Sequence, residues 1–316
     1  MKASRALLLA LVLAAAVVAG AGFFADLGKL GAGLAAYPPG RIAAACVLVL
    51  SNYALRTVRF RYYLGRLSIH VAPAEAGLVF VAGFLFTVTP GKMGEVVKGW
   101  LVKQRHGHSA TAVASSVVAE RFTDVAGLLL VAAAGVWQFG AYRELFLAVC
   151  ALCLSFLAVV LHPRLVPALL GRVRHPRLQR AVAKVSQAHG VLRTLCAPGP
   201  LTVGVALAAA AWFLEAVAFR VLLDGLGAGA GLGQAVVIYT MATLFGAVSM
   251  LPGGVGSTEA VMVALLLLPA LGLGLDRAGA TLATLLIRFC TLWFGVALGG
   301  LAWAWLARRR PTNTRK

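Results

Sequence analysis

The sequence predicts an all-α polytopic integral membrane protein made of two inverted repeats, each with a re-entrant helical hairpin that turns at Pro-Gly. Hydrophobic residues make up 61% of the 316 residues and charged residues 12%, about half the charged fraction of a soluble domain. The mean hydropathy is +0.90, which is typical of a chain with several membrane-spanning helices. Two similar stretches, residues 87–103 and 249–264, interrupt an apolar run at Pro-Gly and resume with a glutamate.

The net charge of the chain indicates which kind of partner it contacts. The chain carries 29 Lys and Arg against 10 Asp and Glu, a formal net charge of +19. In a soluble protein this excess suggests nucleic acid, but in a membrane protein it indicates basic cytoplasmic loops and contact with anionic lipid head groups. We therefore predict no nucleic-acid partner. The five cysteines lie mostly in apolar runs and the six histidines are scattered, so we predict no cofactor and no metal.

The amino-terminal residues 1–24 begin with MKASR and continue as an apolar run. A signal peptide cleaved near Ala19-Gly20-Ala21 is one interpretation. A first transmembrane helix is favoured, because the apolar run reaches Phe24 and the rest of the chain is membrane-embedded. A second helix is predicted over about residues 42–64, and its end is strongly basic.

Two pairs of short apolar arms surround the Pro-Gly breaks. Residues 76–89 and 91–102 flank Pro90, and residues 235–251 and 254–268 flank the second Pro-Gly. Proline removes a backbone donor and glycine permits unusual dihedral angles, so a helix should end at each break. Arms of roughly 12–15 residues at the first break are too short to cross a bilayer, which takes about 20. Re-entrant hairpins therefore fit better than full spans.

The remaining apolar runs complete a single transmembrane domain over residues 1–316. Further helices are predicted over residues 110–137, 145–161, 201–223 and 278–306. The first half covers about residues 42–137 and the second about 201–307, followed by a basic tail, 308–316. Between the halves, the basic cytoplasmic segment 162–200 carries seven Lys and Arg and no acid. This segment is either an amphipathic helix on the membrane surface or a solvated loop.

The distribution of Lys and Arg orients the chain. With the amino terminus in the cytoplasm, the predicted inner segments hold 21 of these residues and the outer segments hold four. The other four, Lys92, Arg121, Arg220 and Arg288, lie at membrane depth. The positive-inside rule therefore predicts that both termini are cytoplasmic.

Three short matches recur in the same order in the two halves. Leu55-Arg56 and Phe60-Arg61 correspond to Leu214-Glu215 and Phe219-Arg220, Pro90-Gly91 corresponds to Pro252-Gly253, and Arg121-Phe122 corresponds to Arg288-Phe289. In the predicted topology the matched helices run in opposite directions, and inverted repeats place a site at the midplane between the halves. Chance similarity between apolar helices is the alternative.

Ionisable side chains inside a membrane need a physical reason, because burying them is costly. Glu120 and Asp124 are one helical turn apart and share a face, with Arg121 beside them. They form either an ion-pair network that fixes helix packing, or the wall of a polar site with a proton-linked carboxylate pair. In the second half, neither Arg288 nor Arg220 is assigned a carboxylate partner at helical spacing. Arg288 is predicted to contact a ligand anion or a carboxylate across the bundle, and Arg220 to pair across the bundle or to extend towards the head groups.

The tips of the two hairpins have the clearest binding chemistry. Free N–H groups and the positive dipole at the start of each second arm bind anions, and phosphate is the natural ligand. Lys92 adds a positive charge at the first tip, and Glu95 and Glu259 would orient cations or bind a coupling proton. The glycines that permit close backbone approach are Gly91, Gly94, Gly253, Gly254 and Gly256. The alternative is that these glycines only permit tight helix packing.

Several of these motifs stand together in one chain. They are Arg56 and Arg59, Pro90-Gly91-Lys92-Met93-Gly94-Glu95, Glu120-Arg121 with Asp124, Pro252-Gly253-Gly254-Val255-Gly256 with Glu259, and Arg288. Together they resemble the flippase-like, lysylphosphatidylglycerol synthase transmembrane-region family, over about residues 5–307. Lys92 stands where an arginine is more usual, which keeps the charge. The resemblance implies an integral inner-membrane protein that moves, or helps to move, a lipid between leaflets. Its two-domain members also carry an aminoacyl-transferase domain, which is not expected here.

We expect a flippase-like transporter of a phospholipid, a glycolipid or a polyprenyl- or hopanoid-type lipid with an anionic or polar head group. Lys92, Arg121 and Arg288 would contact the head group, and nearby carboxylates would position these cations or carry protons. One alternative is a non-transporting subunit that recruits a lipid-synthesis enzyme through residues 162–200. Another is a membrane enzyme that uses the carboxylate pair. The sequence has no Walker-A motif, nucleophile elbow or metal-spaced His/Cys set, so we do not predict an enzyme.

Overall fold

The computed structural model describes most of the chain. The described residues are 3–89, 93–108, 110–136, 164–171 and 179–308, with scattered positions between 144 and 162. Over these residues the regular secondary structure is helical and includes no strand, as the sequence predicts. The tip of the first Pro-Gly motif, residues 90–92, lies outside the described residues, as does most of the helix predicted at 145–161.

The described part of residues 1–136 contains six α-helices. They are α1 (Ala3–Phe24), α2 (Leu27–Ala36), α3 (Pro39–Arg66), α4 (Pro73–Ala82), α5 (Met93–His106) and α6 (Ala110–Val136). A 3-10 turn, Gly83–Phe86, extends α4. The helices predicted over 42–64 and 110–137 correspond to α3 and α6, but α2 was not predicted. The Asp26 carboxylate accepts a hydrogen bond from Gly28 N at 2.8 Å and so caps α2.

Seven α-helices follow in the described residues after 163. They are α7 (Leu165–Gly171), α8 (Gln179–Leu195), α9 (Pro198–Gly225), α10 (Leu232–Val248), α11 (Ser257–Leu266), α12 (Arg277–Arg288) and α13 (Phe294–Arg308). The helix predicted over 201–223 corresponds to α9. A 3-10 turn, Pro252–Gly254, separates α10 from α11, where the sequence predicts the break. Another 3-10 turn, Pro269–Leu271, follows α11.

The basic segment between the halves contains the helix α8. Leu192 and Leu195 on one face of α8 are buried in a cluster with Tyr63 of α3 and Ala119 of α6. Arg193, on another face, is exposed. Of the two interpretations of this segment, the described residues therefore match an amphipathic helix. Its position on the membrane surface stays a prediction.

Within the described residues, three stretches are long and apolar enough to cross a membrane. They are Pro39–Arg66, Pro198–Gly225 and Arg277–Arg308. Helix α6 has 27 residues but carries charges near its middle. Helices α4, α10 and α11 have 10, 17 and 10 residues, fewer than the about 20 that a span requires. The protein is therefore membrane-embedded and combines full-length helices with short ones.

Helices α3 and α9 pack antiparallel in the centre of the bundle. At the start of α3, Tyr37 Oη donates to the Leu222 carbonyl oxygen at 2.8 Å. Near the other end of α3, Tyr63 lies against Gly204, where a Cβ would come within 1.9 Å of the Tyr63 hydroxyl. The contacts pair the start of one helix with the end of the other, so the two helices run in opposite directions.

The helix predicted over 278–306 is divided by a π-helical turn, Phe289–Trp293, which begins directly after Arg288. Tyr53 Oη of α3 donates to the Thr291 carbonyl oxygen at 2.5 Å and so ties the turn to α3. A π-helical turn changes the direction in which the following side chains point, and such turns are frequent at functional sites. Hydrophobic periodicity did not predict it.

We expect Gly127→Ala to weaken the packing of α6 against α9. A Cβ at Gly127 would lie 2.7 Å from Ala209 N and 2.8 Å from Ala208 Cβ, so the two backbones would have to separate. Overpacking of this kind costs roughly 1–3 kcal/mol, so the unfolding temperature of the purified protein in detergent should fall. The control is Gly190→Ala on α8, where a Cβ meets no atom within 4 Å. Equal unfolding temperatures for the two variants would contradict the close approach.

Candidate functional site

A cavity of about 230 Å³ lies between the interrupted helices and the long helices α3, α6 and α9. Its charged lining residues are Arg56, Lys98, Arg121, Glu215 and Arg288. Aromatic and hydroxyl side chains complete the polar lining, among them Tyr53, Trp212, Tyr239, Thr243 and Thr258. The backbone of Gly253 and Gly254, in the second Pro-Gly motif, also reaches the cavity. A mainly basic cavity inside an apolar bundle is suited to an anionic or polar group.

Asp124 on α6 gathers three arginines. Arg59 Nη2 donates to Asp124 Oδ1 at 2.7 Å, and Arg59 Nη1 donates to Thr123 Oγ1 at 3.2 Å. Arg121 Nη1 and Arg56 Nη2 lie 3.1 Å and 3.6 Å from Asp124 Oδ2. Arg59 and Asp124 are buried, and buried charges are tolerated only when they are paired and hydrogen-bonded. This cluster therefore joins α3 to α6 and positions two of the arginines that line the cavity.

Lys98 on α5 and Glu120 on α6 form a second buried pair. Lys98 Nζ donates to Glu120 Oε2 at 3.1 Å. The ammonium group also lies 4.2 Å from the centre of the Phe80 ring and 5.3 Å from that of Phe60. Cation–π contact adds to the pairing of a desolvated ammonium group. The pair fixes α5, which follows the first Pro-Gly motif, against the long helix α6.

Arg288 and Glu259 form the corresponding pair beside the second Pro-Gly motif. Arg288 Nε donates to Glu259 Oε1 at 2.6 Å, and Arg288 Nη2 donates to the Gly253 carbonyl oxygen at 2.7 Å. The other oxygen of Glu259 accepts a hydrogen bond from Gly256 N at 2.7 Å. Gly253 and Gly256 have φ of +62° and +90°, which favour glycine. Glu259 therefore caps the amino end of α11, and Arg288 is the positive group that reaches the cavity.

Arg56 Nε and Trp212 Nε1 are buried N–H donors of the cavity lining, and neither has a hydrogen-bond partner among the described residues. The Arg56 guanidinium group lies over the Trp212 ring at 5.3 Å. A buried donor without a partner is costly, so these two groups mark the part of the cavity wall where the fold leaves hydrogen bonds unmade.

The charges around the cavity do not cancel. Among the described residues the cations are Arg56, Arg59, Lys98, Arg121 and Arg288, and the carboxylates are Glu120, Asp124, Glu215 and Glu259. With every group ionised, one positive charge remains. The described residues contain no group of three His, Cys, Asp or Glu side chains that would hold a metal ion. The excess charge favours an anion as the occupant of the cavity.

The structure places most of the predicted site residues in or next to this cavity. Arg121, Arg288, Gly253 and Gly254 line it. Glu120, Asp124 and Glu259 bind cations that line it. Gly256 belongs to the cap of α11, and Gly94 and Glu95 lie in the first turn of α5. Gly91 and Lys92 lie outside the described residues. Arg220 pairs at 3.4 Å with Asp224, one turn along its own helix, so the prediction that it has no carboxylate partner at helical spacing is wrong.

Arg56, Arg59 and Lys98 are the main correction to the sequence analysis. They were counted with the cytoplasmic charges, yet all three are buried in the bundle. Without them the predicted inner segments hold 18 Lys and Arg against four outside, so the predicted orientation is unchanged. The spacing of Asn52 and Tyr63 with the two arginines, i, i+4, i+7 and i+11, marks a single buried helix face. This spacing is the sequence signal that predicts the burial of both arginines.

We expect Asp124→Asn to destabilise the fold strongly, because it leaves three arginines without their shared carboxylate. Removing one partner of a buried ion pair costs roughly 3–5 kcal/mol. Asp224→Asn is the matched control, since Asp224 pairs with Arg41 and Arg220 at a site where all three side chains are partly exposed. That change should cost roughly 1 kcal/mol or less. Thermal unfolding in detergent measures both, and an equal loss for the two variants would contradict the role of Asp124 as the centre of the cluster.

Comparison with known proteins identifies the family. A UPF0104 membrane protein of Methanothermobacter thermautotrophicus (strain Delta H) is 21% identical over 287 residues, which cover 83% of this chain and 84% of the relative. The family model for the lysylphosphatidylglycerol synthase TM region matches residues 8–299. The match covers the buried charge cluster, both Pro-Gly motifs and Arg288, as the resemblance of these motifs indicated. The chain therefore belongs to the lysylphosphatidylglycerol synthase TM region family, a membrane-protein family related to lipid metabolism or transport.

Proposed function

We propose that the protein is a flippase-like transporter that moves a lipid with an anionic or polar head group between the leaflets of the inner membrane. The observation that carries the proposal is the basic cavity inside the bundle, where the charges of the described residues leave one positive charge uncompensated. A phospholipid, a glycolipid phosphate or a polyprenyl phosphate would place its head group there. Arg121 and Arg288, with Lys92 from the first tip, would contact the head group. Gly91, Gly94 and Glu95 would belong to the same site.

The hydrocarbon tails would remain in the bilayer beside the second Pro-Gly motif. Leu251 lines the cavity and is 45% exposed. Its neighbours Val248 and Met250 are 79% and 75% exposed, so the outer surface next to the cavity is apolar. A polar cavity bordered by an apolar outer surface matches an amphiphile better than a free soluble anion.

Inverted repeats around this cavity are the second part of the proposal. Arg121 and Arg288, which correspond in the sequence repeat, line the same cavity, and so do Arg56 and Glu215. The helices that carry the second pair, α3 and α9, pack antiparallel. The short helices α4–α5 and α10–α11 would form the two re-entrant hairpins of a single transmembrane domain. Rocking of one half against the other would expose the site to each leaflet in turn, with both termini in the cytoplasm.

Exchange of labelled phospholipids between the leaflets of liposomes tests the proposal. Wild-type protein should accelerate exchange, and Arg121→Gln should reduce the accelerated rate by roughly tenfold or more, since a hydrogen bond to a charged group contributes about 1.5–3 kcal/mol. Arg220→Gln is the matched control. Both arginines pair with an aspartate on their own helix and have side chains 39% and 41% exposed, but Arg121 lines the cavity and Arg220 does not.

The comparison separates loss of the site from loss of the fold. Arg220→Gln should retain the wild-type rate, and both variants should elute from a sizing column as the wild type does. Equal rates for wild type and Arg121→Gln would contradict the assignment of the cavity. No acceleration by wild type for any phospholipid, glycolipid phosphate or polyprenyl phosphate would contradict transport.

A further inference from the structure

Glu215 is a buried carboxylate that the ion-pair clusters do not use. It lies in α9, is 3% exposed and lines the cavity. Tyr239 Oη on α10 donates a hydrogen bond to Glu215 Oε2. Among the described residues it is the acidic side chain of the cavity lining, and no Lys or Arg nitrogen of those residues lies within 4 Å of it. Glu215 therefore has a hydrogen-bond donor but, within the part of the chain that the structure describes, no direct counter-ion.

The groups that face Glu215 come from each helix packed against α9 at this level. They are Tyr53 and Arg56 of α3, Asp124 of α6, Tyr239 of α10 and Arg288 at the end of α12. Helix α8 joins the start of α9, about 17 residues before Glu215. The two arginines hold other carboxylates, Asp124 and Glu259. Protonation of Glu215 would raise the excess charge around the cavity from one positive charge to two.

A bound anion and the ionised form of Glu215 would therefore be stabilised by the same positive charges, so each makes the other less favourable. A head-group phosphate that contacts Arg56 or Arg288 would bring a negative charge close to the carboxylate. Like charges at short range favour the neutral form of a carboxylic acid. By linkage, the protonated form then binds the anion more tightly than the ionised form does. The Tyr239 hydroxyl can hydrogen-bond Glu215 in either form, because a hydroxyl donates and accepts.

We propose that an anionic lipid head group and one proton occupy this cavity together, with Glu215 as the proton acceptor. This proposal rests on the proposed function and names the residue that would couple proton movement to lipid movement. The proton comes from water at the mouth of the cavity: hydronium transfers it to a carboxylate oxygen of Glu215 and becomes water. On release of the head group, the carboxylic acid returns the proton to water. Transport of an anionic lipid would then carry one proton with it.

Binding of dioctanoyl phosphatidylglycerol, measured by calorimetry on the full chain in neutral detergent, tests this. Its phosphodiester keeps one negative charge between about pH 5.5 and pH 8.5, so any change of affinity with pH must come from titration of the protein. Wild-type affinity should fall as the pH rises, by up to about tenfold per pH unit. Glu215→Gln should bind with the affinity of the protonated wild type at every pH. Calorimetry in two buffers of different ionisation enthalpy should show up to one proton taken up by wild type and none by Glu215→Gln.

Two further variants keep the test decisive. Asp224→Asn removes a carboxylate from the same helix that does not line the cavity, and should show the pH dependence of wild type. Tyr239→Phe leaves the carboxylate in place but removes its hydrogen-bond donor, so proton uptake should persist while its pH range shifts upwards. If Glu215→Gln does not fold, this shift assigns the proton to Glu215, and an unchanged pH range contradicts that assignment.

Each outcome assigns a failure to one claim. Wild-type binding with no pH dependence and no proton uptake overturns the proton link but leaves the anion site. Loss of binding in a folded Glu215→Gln also overturns it, because the neutral side chain should support binding. No saturable binding by wild type at any pH overturns the anionic head group together with the link. Binding with proton uptake but without leaflet exchange overturns transport alone.

Discussion

The Asp124 cluster is the interaction on which the rest of the site depends. In a medium of low dielectric constant an unpaired guanidinium group would cost several kcal/mol, and the single carboxylate of Asp124 is the shared counter-ion of three such groups. Satisfying Arg59 requires α3 to lie against α6, and that arrangement brings Arg56 and Arg121 to one wall of the cavity. The packing of the long helices and the positive charge of the cavity thus have the same physical origin.

The interrupted helices supply the other wall. An interrupted helix leaves backbone groups without intrahelical partners, which a bilayer does not satisfy. Here side chains satisfy them: Arg288 donates to the Gly253 carbonyl oxygen, Tyr53 to that of Thr291, and Glu259 accepts from Gly256 N. The same contacts bring Arg288 to the cavity. The breaks are therefore part of the site, because the groups that stabilise them are also the groups that face the cavity.

The charge balance makes a stable fold compatible with the proposed binding of an anionic head group. Complete neutralisation would be most stable but would offer nothing to a ligand, and a large excess of charge would not be tolerated inside the membrane. Counted over the described residues, the clusters leave one positive charge when all groups are ionised, and Arg56 and Trp212 each have a donor without a partner. Glu215 is the group through which this balance can change by one unit. Tight pairing of the buried ions is thus compatible with a small excess of positive charge that protonation of Glu215 can change.

The sequence by itself determined the features that depend on local composition and spacing. Apolar length located α3, α6 and α9, Pro-Gly located the interruption before α11, and charges within apolar runs identified Glu120, Asp124 and Arg288. Only the tertiary structure decided which carboxylates the buried basic residues contact. Arg59 and Lys98 meet carboxylates 65 and 22 positions away, on other helices, so no local pattern gives their partners. The π-helical turn is likewise a product of packing, because Tyr53 holds it from a helix more than 200 positions away in the chain.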